Sequence, residues 1–100
     1  MEYKVLTQDE IDDIEVNFLL TQERDHYCHT SSLVRLKAML QSLPEGEIKK
    51  HYQQLHDDTT SRLAEVSAII TASQMRMPSK ERLQASITRI RAAAAAPKTT

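Results

Sequence analysis

Residues 47–77 read EIKKHYQQLHDDTTSRLAEVSAIITASQMRM, and the spacing of their apolar side chains decides the fold class. The stripe recurs about every 3.6 residues, which is the pitch of a straight α-helix. The spacing therefore predicts either one helix over residues 47–77 or two helices that break in the polar run 57–61, whose side chains compete for backbone hydrogen bonds. The stripe consists of Ile48, Tyr52, Leu55, Thr59, Leu63, Val66, Ile70, Ser73 and Met77.

Upstream, Thr7 and Glu10 have the spacing of a capping box and predict a helix over residues 8–29. The polar run 30–32 offers caps for a second helix over residues 33–43, although nothing in the run forces the first helix to stop. Pro44 and Gly46 then indicate a short turn between antiparallel helices.

Downstream, Pro78 and Ser79 end the long segment, and a last helix is predicted over residues 79–96. We expect an all-α fold of three to four helices, arranged as a bundle or as an elongated array of helical hairpins. Residues 1–96 are predicted to form a single domain, and residues 97–100 a disordered tail.

The charges are distributed unevenly along the chain. Residues 1–30 hold eight acidic and two basic side chains, whereas residues 76–100 hold one acidic and six basic side chains. The two ends can therefore attract each other within one chain or between chains.

Composition argues against most catalytic and metal-binding sites. The single Gly precludes a glycine-rich phosphate loop, and the single Cys precludes an internal disulfide. His26, Cys28 and His29 are metal-capable, but no second group of ligands accompanies them. We therefore expect neither an enzyme nor a cofactor or metal site. Because no secretory signal and no apolar run of about 20 residues is present, we also expect a cytoplasmic protein without a membrane partner.

Two apolar stripes mark the first helix. One contains Ile11, Ile14, Phe18 and Cys28, and the other contains Val16, Leu20 and Tyr27, with Leu19 between the two stripes. A surface helix usually shows one such stripe, so the second is either buried within the chain or offered to a partner.

These patterns predict a non-enzymatic helical interaction module, a regulator, adaptor or inhibitor that binds a larger protein. A phage-encoded modulator of host DNA-processing machinery would be one example. The predicted partner contacts are an apolar set and a basic set. The apolar residues could instead belong to the core, and the basic residues could instead be solvated. The two sets are Val16, Leu20 and Tyr27, and Arg82, Arg89 and Arg91. Two alternatives remain open, which are nucleic-acid binding through the basic last helix and self-assembly into a homo-oligomer.

Overall fold

A computed structural model describes residues 5–96 of the chain, and this part is all-α. It contains three helices and no strand: α1 spans Gln8–Ser42, α2 spans Glu47–Gln74 and α3 spans Lys80–Ala95. The predicted fold class is confirmed. The tail predicted for residues 97–100 lies outside the described residues.

Helix α1 begins at the predicted capping box. The Thr7 hydroxyl accepts a hydrogen bond from the Glu10 amide at 3.2 Å, and the Glu10 carboxylate accepts one from the Thr7 amide at 3.4 Å. The two side chains thus provide acceptors for backbone amides that the first turn of a helix leaves without an intrahelical partner.

The polar run 30–32 does not interrupt α1. The Thr30 hydroxyl donates to the His26 carbonyl at 2.8 Å, so it binds one turn back along the helix instead of capping a new one. The alternative with one continuous helix is therefore the correct one, and the predicted helices over residues 8–29 and 33–43 are a single element.

Helix α2 also continues through its polar run, residues 57–61. The amides of Gln53 and Gln54 donate to the carboxylates of Asp57 and Asp58 at 3.0 and 2.8 Å, and Thr60 donates to the His56 carbonyl at 2.8 Å. Because these hydrogen bonds all run along the helix to residues four positions earlier or later, they are compatible with its continuation.

The connection between α1 and α2 matches the predicted turn, and the structure adds a cap at the start of α3. Gly46 has a φ of 151°, a conformation that side chains with a Cβ rarely adopt, and it precedes the first residue of α2. Ser79 is the N-cap of α3, since its hydroxyl accepts from the Arg82 amide at 3.4 Å.

The chain, predicted as one domain, divides into two units. The first comprises residues 5–21 and 72–96 among those described, and it buries Val16 and Leu19 together with Asp12, Ser73 and Ser86. The second is the hairpin of residues 22–71, in which Val66 is the only buried side chain. Within the described residues, no helix has both the length and the apolar character needed to cross a bilayer.

Val66 provides a direct test of the hairpin core. Val66→Ala removes two methyl groups from a side chain that is 0% exposed, so the free energy of unfolding should fall by roughly 2 kcal/mol. Val34→Ala makes the same chemical change on α1 at a side chain that is 66% exposed, and it should change that free energy by less than about 0.5 kcal/mol. Urea unfolding followed by circular dichroism measures both, and equal effects would contradict the described burial.

Candidate partner-binding surface

Asp12 forms the central ion pair of the first unit. Its carboxylate is almost entirely buried, with 3% of the residue exposed. Arg82 on α3 donates two hydrogen bonds to it, at 2.9 and 2.6 Å, and Gln8 donates a third at 2.8 Å. Three hydrogen-bond donors allow the buried carboxylate to keep its charge. The bidentate contact with Arg82 holds α3 against α1 at this point.

Asp13, the next residue, binds the following turns of α3. It accepts from the buried Ser86 hydroxyl at 2.7 Å and from Arg89 at 2.8 to 3.1 Å. Arg89 also lies 3.7 Å from Asp9. A further pair, Arg76 with Glu15 at 3.2 Å, joins α1 to the segment between α2 and α3. We call Asp12, Asp13, Arg82 and Arg89 the Asp–Arg cluster.

The Asp–Arg cluster shifts the titration of its own members. The hydrogen bonds from Arg82 lower the pKa of Asp12 from 3.8 to about 2, against the opposing effect of burial. Arg89, followed by Ser86, lowers the pKa of Asp13. The same contacts raise the pKa values of Arg82 and Arg89. The charged form of each side chain is thus favoured in the folded state.

Arg82 and Arg89, which were predicted as partner contacts, are engaged within the chain, and their role toward a partner stays a prediction. Both guanidinium groups are engaged with carboxylates of α1, because the acidic start of the chain and its basic end attract each other. The sequence had left this intramolecular pairing open as the alternative. Arg91 is exposed and forms no ion pair with any of residues 5–96, so its predicted role stays a prediction.

The predicted apolar contacts are also divided by the structure. Val16 is 1% exposed, so its assignment to a binding surface is wrong. Val16 is one turn beyond Asp12, and both face the interior with Leu19. Leu20 is half-buried. Tyr27 is 72% exposed and belongs to the second unit.

The other stripe of α1 is the exposed one in the first unit. Ile11, Ile14 and Phe18 are 41%, 57% and 41% exposed, and their spacing of three and four residues places them on one side of the helix. We call these three residues the Ile–Phe face. The charge distribution of the sequence contains the signal for this face. If Asp12 pairs with the basic end of the chain, then Val16 has to face inward, and the stripe of Ile11, Ile14 and Phe18 has to face outward.

A shallow groove adjoins the Ile–Phe face. It has a volume of about 540 Å³ and runs between α1 and the C-terminal half of α3. Its apolar walls are Ile14, Ile90, Ala93 and Ala94, and its polar rim includes the paired Asp13 and Arg89. The groove therefore offers apolar surface beside a rim whose charges are already neutralised.

Within residues 5–96, no three His, Cys, Asp or Glu side chains lie close enough to hold a metal ion. Cys28 is a free and exposed thiol. No model of a known protein family, no curated protein and no solved structure matches this chain.

The Asp–Arg cluster makes stability depend on acid pH. Because the pKa of Asp12 is lower in the folded protein than its usual 3.8, the folded state keeps the carboxylate charged where the unfolded chain takes up a proton. The contribution of Asp12 is therefore fully present above about pH 5 and is lost as the pH falls toward 2.

We expect the free energy of unfolding of the natural chain to decrease over this range, and the decrease to be smaller in Asp12→Asn. Glu81→Gln removes an exposed carboxylate of α3 and should retain the wild-type slope. Chemical unfolding at a series of pH values measures this dependence. Identical slopes for Asp12→Asn and the natural chain would contradict the role given to Asp12.

Proposed function

We propose that this protein is a helical interaction module that binds a larger protein through the Ile–Phe face and the adjoining groove. The observation that carries the proposal is the exposure of three large apolar side chains in register on a helix that buries its other side. Large apolar side chains that are exposed together on a monomer commonly mark interaction sites.

The shape and chemistry of the surface favour an amphipathic helix as the bound element of the partner. Ile11, Ile14 and Phe18 form a ridge, and the groove beside Ile14 can accept side chains that recur at positions i, i+3 and i+7 of a partner helix. Phe18 is the one aromatic side chain of the Ile–Phe face, and aromatic residues often contribute a large share of the binding energy at an interface.

The paired rim supports the same reading. Asp13 and Arg89 are held by hydrogen bonds within the chain, so a partner does not have to strip water from an unpaired charge in order to dock. The ion pairs also weigh against nucleic acid as the partner, because the charges of Arg82 and Arg89 are neutralised by carboxylates of the same chain. In this proposal the module has no catalytic step, and it acts by occupying its partner as a regulator, adaptor or inhibitor.

The test compares aspartate substitutions at two exposed places on α1. Phe18→Asp together with Ile14→Asp places charges on the proposed surface, whereas Tyr27→Asp places a charge at a more exposed aromatic residue of the second unit. Affinity capture from host lysate with the natural chain identifies candidate partners, and each is then purified and titrated against all three forms. We expect the Ile14/Phe18 variant to raise the dissociation constant at least about 30-fold and Tyr27→Asp to leave it unchanged.

Two outcomes would contradict the proposal. One is a partner that binds the Ile14/Phe18 variant as tightly as the natural chain. The other is a partner that is lost with Tyr27→Asp alone. Circular dichroism of the variants is the control, because side chains that are already exposed can be replaced without loss of helicity.

A further inference from the structure

The hairpin of residues 22–71 leaves its apolar seam half open. None of residues 22–65 is buried, although Leu33, Leu36, Leu40 and Leu43 recur at the spacing of a helical stripe. Each of these four leucines is only half-buried. In a two-helix hairpin, each helix buries only a narrow strip of the other. A further helix or sheet has to pack against the hairpin before such a stripe of leucines is fully buried.

The exposed apolar side chains of the seam lie on one side of the hairpin. Met39, Ile48 and Leu55 are 38%, 66% and 39% exposed. At 100° per residue, each of the three is displaced in the same rotational direction, about the axis of its own helix, from the line of that helix's most buried residues. Because the two helices are antiparallel, this displacement places all three residues on the same side of the hairpin. We call the surface that they form the open side.

Among the charged residues that border the open side are Arg35 on α1 and Asp58 on α2. The register of the hairpin follows from a groove that Glu23 and His26 of α1 line together with Ser67, Ile70 and Thr71 of α2. Counting along the two antiparallel helices from this groove places Arg35 on α1 level with Asp58 on α2. Among the described residues neither side chain forms an ion pair, and Asp58 accepts only the hydrogen bond from Gln54. Arg35 and Asp58 thus flank the open side on opposite helices at one level.

We propose that a second copy of this chain packs against the open side, so that two hairpins form an antiparallel four-helix bundle. A two-fold axis parallel to the helices places α1 of one copy over α2 of the other. Arg35 of each copy then meets Asp58 of the other, and the two pairs flank the enclosed Met39, Ile48 and Leu55. The charge pattern is self-complementary, which favours a second copy over an unrelated helix. This proposal is independent of the function proposed above, because it concerns the other unit.

The first test is the mass of the full chain in solution. Sedimentation equilibrium should give twice the 11.4 kDa of one chain. Met39→Asp with Leu55→Asp should raise the dissociation constant of the dimer at least about 30-fold, whereas Val34→Asp, on the outer face of α1, should leave it unchanged. A natural chain that stays monomeric at the highest attainable concentration would overturn the proposal.

The second test exchanges the flanking charges and needs no change to any apolar residue. Arg35→Asp and Asp58→Arg should each weaken the dimer, since each brings two like charges together across the two-fold axis. The chain that carries both substitutions should regain most of the lost affinity. Weakening by each single change without recovery in the double variant would overturn the predicted contact, and so would single variants that dimerise like the natural chain. Neither test touches the Ile–Phe face, so failure here leaves partner binding by that face to be judged on its own experiment.

Discussion

The pairing of Asp12 with Arg82 is the constraint on which the first unit depends. A carboxylate that is 3% exposed is costly unless its charge is compensated, and Arg82 supplies two of its three hydrogen bonds. Because Asp12 has to face α3, the rotation of α1 about its own axis is fixed. Val16 and Leu19 then turn inward, and Ile11, Ile14 and Phe18 turn outward. Asp13 and Arg89 repeat the same contact and hold the following turns of α3.

Much of the fold could be predicted from local patterns. The capping box at Thr7 and the turn at Gly46 are decided by neighbouring residues, and each lies where the sequence predicts it. The continuity of α1 and α2 was harder to predict, because hydroxyl and carboxylate side chains can either cap a helix or bind along it. That choice depends on how the whole helix packs, and the packing cannot be predicted from a run of five residues alone.

The binding surface was less accessible to prediction for a different reason. Periodicity showed two apolar stripes on α1 but could not say which one is covered, since burial depends on contacts with residues about 70 positions away. The charge gradient held that information. The attraction between the two ends sets the rotation of α1, because Asp12 and Asp13 have to face Arg82 and Arg89 on α3.

The most direct measurement compares the reactivity of two engineered thiols on α1. In a Cys28→Ser background, Ile14→Cys and Val16→Cys each place a single thiol on one of the two stripes. With a maleimide reagent, the thiol at position 14 should react at nearly the rate of an unfolded peptide, and the thiol at position 16 should be strongly protected. Protection at position 14 with rapid labelling at position 16 would contradict the orientation of α1 on which this account depends.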